Sequence, residues 1–155
     1  MKLADVLRKE RERKALTIED VVARLLVSID VYEGIERGES PVEEWGPRLA
    51  QIAIKLSTPT SRLISETGKA KDAALAVGQC GKLIGQHREK RGLIRQELAE
   101  QLQWPVEQLE SVENGESLLE SLAPMLLRFA EVIDQPIFNL FYPCGLPFGE
   151  LKDYP

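Results

Sequence analysis

The chain is predicted to be all-α, built as two tandem five-helix units. Three observations predict it: a residue pattern that returns after 77 positions, apolar residues at helical rather than alternating intervals, and capping residues, glycines and prolines between short segments. Glu36-Arg37-Gly38-Glu39-Ser40 returns as Glu113-Asn114-Gly115-Glu116-Ser117. Arg11, Glu12, Leu16, Leu25, Glu33, Glu43, Pro47, Leu49, Ala53, Pro59 and Leu63 each meet an identical residue 77 positions on. Where identity is lost, apolar character is kept, as in Leu7/Ile84, Val21/Leu98, Ile35/Val112, Ile52/Phe129, Leu56/Ile133 and Ile64/Phe141. Those pairs are the expected core.

In the first unit, Leu3, Val6 and Leu7 make one apolar stripe on a charged segment from Lys2 to Lys14, which predicts a short amphipathic helix. Thr17 precedes Ile18-Glu19-Asp20 and caps a second helix to about Leu25, with Asp20 placed to return the exchange of a capping box. Ser28 caps a third helix, Ile29 to about Glu36, which Gly38 ends. Two short helices separated by a tight turn have helix-turn-helix spacing. Pro47 is expected in the first turn of a fourth helix reaching Leu56, and Pro59 at the start of a short fifth carrying Leu63 and Ile64.

The second unit predicts helices at Gln79 to Lys90, Arg95 to Leu102, Val106 to Val112, Pro124 to Ile133 and Pro136 to Phe141. The expected organisation is therefore a first unit over 1–66, a linker over 67–78 that is partly helical, a second unit over 79–142, and a non-helical, apolar tail over 143–155 that packs back across the two units or onto a second chain.

With 155 residues, 43% hydrophobic and 29% charged, the composition suits two small cores. No apolar run approaches the ~20 residues of a membrane span, and the charged start lacks a secretory signal's apolar stretch, so a cytoplasmic location is expected. Cys80 and Cys144 are expected to be free thiols, and two cysteines with one histidine do not suit structural zinc. No nucleophile–base grouping, metal spacing or phosphate loop stands out. The chain is not expected to be an enzyme or to need a cofactor.

Arg11-Glu12-Arg13-Lys14-Ala15-Leu16-Thr17 and Arg88-Glu89-Lys90-Arg91-Gly92-Leu93-Ile94, together with Ile35-Glu36-Arg37-Gly38, Val112-Glu113-Asn114-Gly115 and Leu98-Ala99-Glu100-Gln101-Leu102, resemble the Cro/C1-type (XRE) helix-turn-helix family. The resemblance covers Leu3 to Glu66 and again Cys80 to Tyr142, and implies two lambda-repressor-like domains. It also implies a DNA-binding transcriptional regulator, with the duplicated modules acting as a covalent pseudo-dimer on half-sites about 34 Å apart. Carried over by position, base reading falls to Ile29, Asp30, Glu33, Val106, Glu107 and Glu110, and phosphate contact to Arg11, Arg37, Arg88, Arg91, Arg95 and Asn114.

This sequence departs from that pattern where it matters most. None of the six base-reading residues is Arg, Lys, Asn or Gln, and four are acidic, so a phosphate-lined groove repels them. Ile18 and Arg95 open helix two, and Leu26 and Gln103 occupy the tight turn. A left-handed backbone there would cost an ordinary residue about 1 kcal/mol. The formal net charge of −5 opposes sequence-independent DNA binding. These departures support an alternative, a protein-interaction adaptor of the antirepressor or antitoxin kind with acidic helix-three faces. The expected partner is thus double-stranded DNA or, in the alternative, a basic protein; a homodimer is compatible with either, and no membrane is involved. Glu36 and Glu113 are expected to tie helix three into its own unit, Trp104 to pack rather than stack on a base, and His87 to be exposed.

Overall fold

The structure, a computed structural model, describes residues 1–145. Its helices are α1 Leu3–Arg13, α2 Ile18–Leu25, α3 Ile29–Glu36, α4 Val42–Leu56, α5 Gln79–Lys90, α6 Arg95–Leu102, α7 Val106–Glu113 and α8 Leu119–Val132. Short 3-10 turns follow at Thr60–Leu63, Ala70–Asp72, Ile137–Leu140 and Tyr142–Cys144. No strand occurs among the described residues; Ser65 and Ala73 form an isolated antiparallel bridge. No helix there is long and apolar enough to cross a membrane.

The 77-residue step governs the backbone as well as the sequence. Left-handed residues occur in matched pairs: Ala15 with Gly92, Leu26 with Gln103, Gly38 with Gly115, and Ser57 with Asp134. One capping device is also repeated. Glu43, in the first turn of α4, accepts the free N–H groups of Leu3 and Ala4 at 3.1 and 2.7 Å, and Glu120 on α8 accepts those of Cys80 and Gly81 at 3.2 and 2.8 Å. Each carboxylate thereby satisfies two otherwise unpaired donors at the positive end of a helix. The repeated identity of these glutamates was visible in the sequence, but their role needed the fold.

Three expectations are corrected. The fourth helices begin five residues before their prolines, at Val42 and Leu119, so Pro47 and Pro124 lie inside α4 and α8. The expected fifth helices are 3-10 turns. The tail begins with a helical turn of the 3-10 type at Tyr142–Cys144, against the expectation that it lacks helix; the remainder of the expected tail packing lies outside the described residues.

The two halves do not keep separate cores. Buried apolar residues from Leu3 to Phe141 form one continuous cluster. The packing between halves is reciprocal: α2 lies against α8 and α6 against α4, while α4 meets α8. The turn at Thr60–Leu63 likewise contacts α5, and its counterpart at Ile137–Leu140 contacts α1. Such exchange, in which patch i meets j and j meets i, is the signature of an isologous two-fold interface, here within one chain. The segment between the halves is pinned too, since the Ala70 N–H donates to Glu131 at 2.7 Å.

Candidate recognition surfaces

The outer surface of α3 and α7 is set by local chemistry. Thr17 Oγ1 accepts from the Asp20 N–H at 3.1 Å, and Asp20 accepts from the Thr17 N–H at 3.0 Å, closing the expected capping box. Those hydrogen bonds from Thr17 hold the Asp20 carboxyl below its ordinary pKa. In the second half the N-cap is Ile94, which has no side-chain acceptor; only the return arm survives, Glu97 accepting from the Ile94 N–H at 2.9 Å. The turns after α2 and α6 place Leu26 and Gln103 at φ 61°. Both halves retain the left-handed turn without glycine. Ser28 then caps α3 by accepting from the Val31 N–H at 3.2 Å.

Helix three is anchored at its other end by an arginine clamp. Arg11 donates through Nε and Nη2 to both oxygens of Glu36 at 2.7 and 3.0 Å, and through Nη1 to the Leu16 carbonyl at 2.9 Å. Arg88 does the same to Glu113 at 2.8 and 3.0 Å and to the Leu93 carbonyl at 2.7 Å. The bidentate fork fixes helix one, the following loop and helix three as one body. The Glu36 and Glu113 hydrogen bonds raise the guanidinium pKa values further, opposed by burial.

Of the expected phosphate set, Arg11 and Arg88 are tied into these clamps. Arg88 is only 8% exposed, and Arg11 and Arg88 direct their donors inward to a carboxylate and a carbonyl. Arg95 donates to Glu113 at 3.0 Å while staying part-exposed. Arg91 reaches across the halves to the Ser57 carbonyl at 2.7 Å, and Arg37 pairs with Glu39 on the surface. Asn114 is exposed at the C-cap of α7. The base-reading positions are accessible to differing degrees: Ile29, Asp30 and Glu107 are exposed, while Glu33, Val106 and Glu110 are half-buried.

Two apolar neighbours are exposed on this surface: Leu26, expected in the tight turn, and Val31, which the sequence reading does not single out. Leu26 is 75% exposed and Val31 is 54% exposed. The signal for Val31 is its place outside the buried Tyr32 and Ile35 stripe.

The remaining candidates behave as structural groups. Trp104 is partly buried against the core, and the Arg48 guanidinium lies 4.6 Å from the Trp45 ring centre and 5.9 Å from that of Trp104, joining the two halves. His87 is half-buried rather than exposed, and burial, followed by Lys90 and Arg62, lowers its pKa. Cys80 and Cys144 are free thiols; burial, then Glu120, pushes the pKa of the buried Cys80 up. Comparison of the chain with family models, with curated proteins and with solved structures returns no match.

Proposed function

We propose that this chain is a non-enzymatic regulatory protein in which two lambda-repressor-like helix-turn-helix units, residues 1–66 and 79–142 joined by 67–78, act as a covalent pseudo-dimer toward a basic protein partner. The supporting observation is the charge of the accessible helix-three faces. Asp30 on α3 and Glu107 on α7 are exposed and Glu33 and Glu110 half-buried, while Arg11 and Arg88 are committed to Glu36 and Glu113. Near a phosphate backbone these carboxylates are repelled; near lysine or arginine side chains they steer and specify association.

DNA binding is the second reading, favoured by the reciprocal packing, which relates the two helix-turn-helix units as a dimer relates its half-site readers. In this reading Arg37, Arg91, Arg95 and Asn114 hold phosphates, and DNA shape supplies the selectivity that the acidic helices do not.

Fluorescence anisotropy with mixed duplex DNA at low and raised salt separates the two. The first reading expects no binding at the lowest salt. Micromolar or tighter affinity with a steep negative salt slope, lost in Arg91→Ala with Arg95→Ala, overturns it and establishes the second. Arg91 and Arg95 are more exposed than the buried Arg88, and because they also contact Ser57 and Glu113, circular dichroism must show the double variant folded.

A further inference from the structure

We infer that the cleft between the end of α8 and the turn at Thr60–Leu63 binds a short apolar peptide with free termini, gripped by its ammonium at one end and its carboxylate at the other. No residue of α3 or α7 lines this cleft, so the inference stands apart from the choice between a protein and a DNA partner.

The cleft has a volume of about 530 Å³, within the range of small-molecule sites. Both halves build it. Leu127, Ala130 and Ile137 of the second half are at most 3% exposed and give it an apolar base, with Pro59 and Pro136 beside them. The first half contributes Arg62 and Lys69, the second Glu131 and Asp134, and all four are exposed. The Arg62 stem and the Ser61 hydroxyl lie over Gly68, where an added Cβ would meet them at 3.2 and 3.1 Å, which places the Arg62 side chain along the first-half wall. Glu131 accepts from the Ala70 N–H at 2.7 Å, which ties the two walls together beside Lys69.

No ion pair joins any of these four groups to one another or to another described residue. Cations on one wall and carboxylates on the other, kept apart over an apolar base, complement a molecule with one charge at each end and an apolar body between. A short peptide has that layout. A free α-amino acid carries both charges on one carbon.

The repeat supplies a control. Pro59 and Pro136 are equivalent positions and both line the cleft, so it lies where the halves meet about their two-fold relation. The equivalents of Arg62, Glu131 and Asp134 are Asn139, Ile54 and Ser57, none of them charged. The same backbone is built there without charge, so the fold does not require the charges on this side.

The test uses the full chain and leucyl-leucine, titrated by calorimetry beside its N-acetyl and C-amide derivatives and free leucine. The dipeptide is expected to bind saturably, and each of the other three about tenfold more weakly. Arg62→Gln with Lys69→Gln is expected to lower the dipeptide to the affinity of its amide while leaving the amide itself unchanged. Asp134→Asn is expected to do the same with respect to the N-acetyl form. Circular dichroism checks that both variants remain folded, and the matching of each variant to one end of the peptide separates recognition from a general loss of structure.

Absence of saturable dipeptide binding overturns the inference. Binding that is indifferent to capping, or to these substitutions, does so equally. Leucine binding as tightly as the dipeptide overturns it in favour of a free amino acid.

Discussion

The junction of helix one with helix three is built twice, and the halves differ in how closely they close it. In the first half Ala4 carries a side chain at the contact; in the second its place is taken by Gly81, where an added Cβ would lie 2.1 Å from the Val112 carbonyl oxygen. The clamp follows suit, with Glu113 receiving both Arg88 and Arg95 while Glu36 receives Arg11 from among the arginines. At the fourth helix the asymmetry reverses. Gly46 lies against Leu3 and Phe141, where a Cβ would come within 2.8 and 3.0 Å, and its counterpart is Ala123. One repeated frame thus supports two local packings, each closest where glycine removes a side chain.

The strongest challenge to this comparison is removal of a clamp glutamate. Glu113→Ala removes the bidentate partner of buried Arg88, leaving only the more distant, exposed Glu89, and is expected to cost about 3 kcal/mol by urea denaturation. Glu36→Ala should cost less, because Arg11 lies nearer solvent. Equal losses would show that the tighter second clamp carries no extra stability.

Gly81→Ala is next. The obstructing atoms are backbone oxygens, so α5 must move away from α7, at a net cost of about 2 kcal/mol. The mirror substitution Ala4→Gly should lose only the helix-propensity difference, about 1 kcal/mol. A neutral Gly81→Ala would refute the closer approach.

Smaller effects test the turns and caps. Leu26→Gly and Gln103→Gly each relieve a left-handed residue and are expected to stabilise by up to about 1 kcal/mol, visible as a higher denaturation midpoint. Thr17→Ala should cost about 1 kcal/mol, and Ile94→Thr should gain a similar amount by restoring the missing cap. The Asp20 carboxyl is held below its ordinary value by Thr17, so its contribution is present at neutral pH and disappears as pH falls through that lowered pKa. Asp20→Asn should therefore remove part of the acid-side fall in stability; an unchanged stability–pH curve assigns the box no electrostatic share.

Local elements were legible where a side chain acts on its own neighbours. Thr17, Ser28, Gly38 and Gly115 fixed the limits of the second and third helices because capping is settled within four residues of chain. Pro47 and Pro124 mislead because proline favours a first turn, whereas α4 and α8 start earlier, where the Val42 and Leu119 N–H groups donate to the hydroxyls of Ser40 and Ser117. Nothing in the sequence between 67 and 78 disclosed that the halves merge, since contacts of α2 with α8 depend on orientation rather than on neighbouring residues. The acidic character of the reading faces was visible at once. The commitment of Arg88 to Glu113 was half visible: the glutamate's anchoring role was foreseen, but its partner had been placed on phosphate.

The merged core has a consequence for how such a protein can change. In a dimer of identical subunits each substitution is written on both sides of the axis, so a residue that suits one head is imposed on the other. With both halves encoded separately and their shared interior held by residues such as Leu49, Leu126 and Phe129, one outer surface carries Leu26, Ile29 and Val31 where the other carries Gln103, Val106 and Gln108. Symmetry is kept in the shared interior and relaxed on the outer surface.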